Sequence, residues 1–172
     1  MPKKAICAEI GAWKGDFTSE ILRQTKPKKL YIIDPYLHVE TYDKAWYGGL
    51  DSSQEKMDEV FKSTQQRFEN ELYSGQLEFL RDDSTKALDK FEDDHFDWIY
   101  IDGNHLYEYV KLDLENSFKK VKSGGYITGD DYNLVGWWDD GVTKAVNEFI
   151  ENFKDSITVI SIKGTQFILR KN

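Results

Sequence analysis

Residues Phe96–Tyr132, FDWIYIDGNHLYEYVKLDLENSFKKVKSGGYITGDDY, hold two apolar runs that each end in acid, joined by a helical pattern. The first run ends at Asp102 and the second at Asp130 and Asp131. Between them Tyr107, Val110, Leu114, Phe118 and Val121 recur at spacings of 3, 4, 4 and 3, which is one face of an α-helix. Ser123-Gly124-Gly125 is expected to stop that helix, and YITGDD to begin a strand. A strand, a crossover helix and a second buried strand form a parallel unit, with both sets of acids at the carboxyl ends of neighbouring strands. Open α/β sheets bind ligands at that edge. Asp102, His105, Asp130 and Asp131 are therefore expected to converge on one site.

The same alternation extends towards the N-terminus. Ala5–Ile10 is a short apolar run that leads through Glu9, Gly11 and Gly15 into a helix carrying Phe17, Ile21 and Leu22, with Asp16 or Thr18 as its cap. Pro27 ends that helix, and KLYIID gives a second strand ending at Asp34. Asp34 lies 19 residues after Gly15, about where a ribose-binding carboxylate sits in a nucleotide-binding βαβ unit. A Tyr-, Trp- and Gly-rich stretch without clear periodicity follows, then a helix with Met57, Val60, Phe61, Phe68 and Leu72 on one side. QLEFLRDDS reads as a third strand, with Asp83 or Ser84 capping the short helix TKALDKF.

Beyond Asp131, YNLVGWWDD is a second aromatic loop, and Val142, Ala145, Val146, Phe149, Ile150 and Phe153 mark another amphipathic helix. ITVISIK and TQFILRK around Gly164 read as a hairpin. Strands alternate with helices five times before it, which predicts a doubly wound α/β sheet with an antiparallel edge.

The 172 residues suit one domain, residues 1–172, and 40% hydrophobic with 31% charged residues suits a folded one. A net charge of -8 disfavours a nucleic-acid partner, which would need a basic face. The single cysteine, Cys7, falls inside an apolar strand and reads as a buried structural thiol, in keeping with a reducing, cytoplasmic setting. MPKK leads directly into a strand, with no signal-peptide core and no apolar run long enough for a membrane. Exposed aromatic loops leave room for a homo-oligomer.

The glycine turn narrows the ligand. A dinucleotide fingerprint, G-x-G-x-x-G, sets backbone against a pyrophosphate, whereas here the pattern is acid-x-G-x-x-x-G. Glu9 would repel a pyrophosphate and attract an ammonium or sulfonium group. The missing third glycine argues against a nicotinamide-dependent oxidoreductase, and the absence of G-x-x-x-x-G-K-[ST] excludes a P-loop nucleotidase.

EIGAWKGDFTSEIL, IIDPY, the DDS turn, FDWIYIDGNHLYEYVKLDL and KSGGYITGDDY together resemble the class I S-adenosylmethionine (SAM)-dependent methyltransferases. The closer resemblance is to the branch with metal-dependent O-methyltransferases of sugars and macrolides, and it spans nearly the whole chain. It implies a Rossmann-like sheet of seven strands, mostly parallel, with the last two forming the antiparallel C-terminal hairpin. By position it implies that Glu9, Gly11 and Gly15 line the methionine part of SAM and that Asp34 binds the ribose hydroxyls. Asp83 and Ser84 would lie near the adenine. Asp102, Asp130 and Asp131 would hold Mg²⁺ or another divalent cation, Asp102 also bordering the cofactor, and His105 would be the base.

The implied reaction is O-methylation of a small hydroxylated acceptor such as a sugar. An alcohol is a poor nucleophile until it loses its proton. Carboxylates are hard ligands suited to Mg²⁺, which can orient substrate oxygens and lower their pKa, and imidazole titrates near neutrality. A metal-free N- or carboxyl-methyltransferase and a non-catalytic SAM-binding protein are the alternatives. Plainer roles exist for the same residues: Asp102 satisfying backbone donors in a D-G-N turn, and Asp130 and Asp131 capping a turn. Three clustered acids without a cation would repel one another. Many relatives carry helices before the first strand, so enclosure of the acceptor is expected from loops 36–54 and 132–140 or from another subunit. An acid often stands where this chain has Asn104. Trp137 and Trp138 either pack under the last helix or roof the pocket. His38 and His95 are expected at the surface, and Lys119, Lys120 and Lys122 at a solvated helix end.

Overall fold

Strands and helices alternate along the chain in a computed structural model that describes residues 1–172 apart from Asp43, Trp46 and Leu50. In chain order the elements are β1 (Ile6–Ile10), α1 (Asp16–Thr25), β2 (Lys29–Ile33), α2 (Gln54–Arg67), α3 (Glu69–Tyr73), β3 (Leu77–Leu80) and α4 (Ser84–Leu88). They continue with β4 (Phe96–Ile101), α5 (Tyr107–Lys120), β5 (Val121–Gly129), α6 (Gly141–Asn152), β6 (Ile157–Lys163) and β7 (Gln166–Lys171). The sheet has seven strands in the order β3-β2-β1-β4-β5-β7-β6. β1 to β5 pair in parallel, and β7 runs antiparallel to both β5 and β6. The expected doubly wound sheet with an antiparallel hairpin is what forms.

Side-chain alternation, with its period of two, divides the core between the sheet's faces. Ala8, Ile10, Ile33, Ile99, Ile101 and Ile127 pack with α4, α5 and α6 through Leu88, Val110, Leu114, Val146 and Phe149. Cys7, Leu30, Ile32, Trp98 and Tyr100 face the other way, onto Ile21 of α1 and Phe68. Each large apolar side chain sealed in this way contributes roughly 1.5–3 kcal/mol relative to exposure. Cys7 is fully buried and free, and burial raises its thiol pKa far above the usual range, as expected of a structural thiol.

Local readings needed adjustment at three helix ends. α1 begins after Gly15 in a left-handed conformation, so neither Asp16 nor Thr18 caps it. Asp16 pairs with Arg67, while Thr18 turns into the interior. The long second helix breaks at Phe68, which is buried between α2 and α3. α5 stops at Lys120, and Val121 is already an extended, buried strand residue opposite Phe96. The Ser123-Gly124-Gly125 turn instead falls inside β5, where pairing jumps from Phe96↔Val121 to Trp98↔Tyr126. A β-branched residue that can be sealed beside Phe96 gains more in the sheet than on one more helical turn.

Candidate active site

At the carboxyl end of β1, Glu9 points into the face shared with α1 and is fully buried. Thr18 Oγ1 donates to Glu9 Oε2 at 2.5 Å, and Oε1 is left without a hydrogen-bond partner. Burial first, then the nearby Asp102 and Asp34 charges, raise the Glu9 carboxyl to about 8 against the opposing Thr18 bond. Above it Gly11 has φ +81, and a Cβ there would lie 2.0 Å from the Asp102 carbonyl oxygen. The glycine turn therefore rests directly on the turn after β4, a fit that only a residue without a side chain allows.

Asp34, at the end of β2, is engaged with that same turn. Its Oδ2 accepts the N–H groups of Ala12 and Trp13 at 3.0 Å each, and its Oδ1 accepts the N–H of Tyr36 at 2.8 Å. Burial raises its pKa, and the three backbone donors oppose the rise. A carboxylate offers about four acceptor sites, so little capacity is left over. Asp83 caps α4 by accepting the N–H of Thr85 at 3.0 Å, and Ser84 Oγ donates to the buried carboxyl of Asp113.

Asp102, His105 and Asp131 come together. His105 Nε2 bonds Asp131 Oδ2 and lies 3.6 Å from Asp102 Oδ1, and one ligand atom from each of the three residues falls within 4.8 Å of the others. Burial alone would lower the imidazole pKa, but the bonds and charges of Asp102 and Asp131 outweigh it and lift it to about 9. Asp102 is shifted upwards, by burial above all. Asp131 adopts φ +60, a conformation acids tolerate better than most residues. Its carboxylate meets His105 while the carboxylate of Asp130 is engaged elsewhere.

Asp130 is bonded by Thr165 Oγ1 and the N–H of Asp131, and more weakly by Tyr100 Oη at 3.3 Å and Gln166 Nε2 at 3.5 Å. Burial pushes against ionisation there, and those bonds nonetheless hold the carboxyl below its ordinary value. The acids foreseen for one site thus divide: Asp102 and Asp131 meet at His105, and Asp130 ties β5 to the C-terminal hairpin.

The aromatic loops meet over this edge. Trp138 lies against His105 with ring centroids 4.5 Å apart, and Trp137 reaches Tyr42 at 5.7 Å and Tyr47 at 6.1 Å. Tyr42 Oη also donates to Tyr109 Oη at 3.2 Å. Asp43, Trp46 and Leu50, which belong to loop 36–54, lie outside the described residues. His38 is half-buried and bonds within its own loop, to the Tyr47 carbonyl and Ser52 Oγ, rather than facing solvent. His95 is likewise half-buried, among Tyr31, Phe91 and Phe96. Lys120 and Lys122 pair with Asp93 and Asp97. A narrow crevice bounded by Asp102, Asn104, His105, Asp130 and Phe167 opens beside the cluster. A wider cleft of about 510 Å³, between Trp13 and Val60, touches none of these acids.

Sequence reasoning missed Thr18, Tyr100, Thr165 and Asp113 as site-shaping residues. Asp113 alone left a signal, being an acid beside Val110 and Leu114 on the apolar face of α5.

The residues present suit both groups that the resemblance implies. A buried carboxyl oxygen without a partner beside the glycine turn suits the ammonium end of SAM. The carboxylates of Asp102 and Asp131, held close to one another, suit a hard divalent cation of the Mg²⁺ or Mn²⁺ kind.

The order β3-β2-β1-β4-β5-β7-β6, with acids along one edge, is the fold of the class I SAM-dependent methyltransferases. A family model described as "Methyltransferase domain" matches residues 8–132, and the chain belongs to that family. Protein R132 of Acanthamoeba polyphaga mimivirus, described as uncharacterized, is 27% identical over 149 residues, covering 85% of this chain. The chain spans 59% of R132's length. Among solved structures, the O-methyltransferase NovP superposes with a TM-score of 0.68 at 22% identity, covering 98% of this chain and 72% of NovP. The N-methyltransferase NodS from Bradyrhizobium japonicum gives a TM-score of 0.63 at 15% identity, covering 98% of this chain and 87% of NodS. Its complex with S-adenosyl-L-homocysteine (SAH) gives 0.56 at 14% identity, covering 97% of this chain and 78% of that one. These likenesses carry the fold. The acceptor is a separate matter.

Proposed function

We propose that this chain transfers the methyl group of SAM to a hydroxyl of a small molecule, such as a sugar, with a divalent cation assisting and His105 as general base. The observation that carries the reading is the meeting of Asp102, His105 and Asp131 at the carboxyl ends of β4 and β5. When bound, SAM supplies an electrophilic methyl group and the cation supplies a Lewis acid. The chain's own residues bind and orient. Glu9 offers its unpartnered Oε1 to the ammonium, and Asp34 fixes the glycine turn. Asp102 and Asp131 would provide oxygen ligands, and with their charge drawn to the cation they would no longer hold the proton on His105, whose neutral Nε2 would accept the acceptor's hydroxyl proton. Trp137, Trp138 and the Tyr42 loop exclude water from the edge, where an in-line displacement needs its nucleophile about 3 Å from the methyl carbon. The acidic surroundings favour a small neutral acceptor over nucleic acid.

Metal-free transfer to nitrogen or carboxylate is the second reading. A His105 raised to about 9 is an imidazolium at neutral pH and partly balances its two acids without a metal. Calorimetric titration separates the two readings. Binding of SAH, together with a Mg²⁺ signal that EDTA and Asp102→Ala abolish, supports the metal-assisted enzyme. SAH binding without any Mg²⁺ signal supports the second reading, and no binding of SAM or SAH overturns both.

A further inference from the structure

On α5 the inward face is apolar at Val110 and Leu114, yet Asp113 sits between them only 3% exposed. A buried carboxyl in such a place costs stability unless it is bonded or neutral. Its bond comes from the Ser84 hydroxyl, the first residue of α4. Its other oxygen packs against the β4–α5 turn, 3.7 Å from where a Cβ on Gly103 would lie. Asp113 therefore bonds the Asp83-Ser84 turn after β3 and lies beside the Asp102-Gly103 turn after β4, two segments from different strand ends. A second, more exposed tie runs parallel, one residue on along α4 and about one turn on along α5, from Asn116 Nδ2 to Thr85 Oγ1 at 3.4 Å.

We infer that Asp113 is a positioning residue for the adenosine half of the cofactor site, fixing the spacing between the turn at Asp83-Ser84 and the backbone at Gly103. The inference rests on the SAM reading above, under which Asp83 and Ser84 lie near the adenine and Asp102 borders the cofactor. Nothing in methyl transfer itself calls for an acid at this depth, and an apolar residue would pack more cheaply beside Val110 and Leu114. Burial and, to a lesser extent, the Asp83 charge raise the Asp113 carboxyl to about 7 against the opposing Ser84 bond, so below neutrality it keeps its proton and can remain sealed. A flat ring between two turns is sensitive to their separation, and the hydroxyl–carboxyl bond holds that separation from behind.

The test compares two probes in the full chain: SAH, and 5′-methylthioadenosine, which keeps the nucleoside and lacks the amino-acid end. Calorimetric Kd values are measured for wild type, Asp113→Ala, Asp113→Asn, Ser84→Ala and the Asp113→Ala/Ser84→Ala double variant. Asp113→Ala is expected to weaken both probes by the same factor, on the order of tenfold, as loss of one buried bond implies. Asp113→Asn, which can still accept from Ser84, is expected to restore most of the affinity. The double variant is expected to lose no more than the worse single one, as for two partners in one bond. Unchanged affinity in folded Asp113→Ala, or loss for SAH with none for 5′-methylthioadenosine, overturns the inference. Should Asp113→Ala fail to fold, Ser84→Ala and Asp113→Asn decide it by the same comparison. A wild-type chain that binds neither probe overturns the SAM reading first, and this inference with it.

Discussion

Asp34 Oδ2 accepts the backbone N–H of Trp13 at 3.0 Å, and Trp13 itself stands at φ +50. The acid that ends β2 thus holds a bulky residue of the β1–α1 turn in a left-handed conformation that few side chains adopt unaided. In Asp34→Ala three backbone donors lose their acceptor. Destabilisation of roughly 2–4 kcal/mol is expected in urea unfolding, with weaker SAH binding by calorimetry. Asp34→Asn keeps one acceptor oxygen and should fall between that variant and wild type.

Gly11→Ala should be harsher. Its Cβ would have to occupy the space of the Asp102 carbonyl, at a φ that itself disfavours alanine. A loss above about 3 kcal/mol is expected, combining backbone strain with displacement of the turn below. Thermal unfolding and a SAH titration read the two consequences separately.

His105→Ala is expected to lower kcat by about 10²–10⁴ if the imidazole is the base, with the Kd for SAH nearly unchanged. Single-turnover kinetics on any accepted hydroxyl substrate give the comparison. A variant with wild-type turnover would remove His105 from the chemistry and leave it as packing for Trp138.

Asp113 makes stability depend on pH in a defined direction. Its carboxyl stands at about 7 in the folded chain, against an ordinary 3.8 for an aspartate in water. Between those values the folded state holds a proton that the unfolded state has released, so this contribution is full below about pH 4 and is lost as pH rises through 7. Replacing it with an amide removes that slope. Relative to wild type, Asp113→Asn should gain roughly 2–4 kcal/mol between pH 4 and pH 8. Parallel urea curves at the two pH values measure it.

The architecture was largely legible because apolar runs ending in acids, such as Trp98–Asp102 and Ile127–Asp131, mark parallel strand ends irrespective of distant context. What stayed hidden depended on partners far along the chain. Asp130 and Asp131 are neighbours, and distant partners separate their surroundings, Thr165 and Tyr100 at Asp130 and His105 at Asp131. The surroundings of Trp137 and Trp138 likewise depended on Tyr42 and His105, many residues away. α5 was read past its end at Lys120 because Val121 suits a helix face and a strand equally well, and Phe96 decides between them.

The order of the last three strands has a consequence for synthesis. β7 follows β6 in the chain but lies between β5 and β6 in the sheet. A nascent chain that has completed β6 has no native strand to pair it with, because among the described residues β6 pairs with β7 alone. Until β7 leaves the ribosome, β5 remains an open edge able to recruit a foreign strand. Thr165 and Gln166, which hold Asp130, emerge with it, so one end of the site matures in the same late event that closes the sheet.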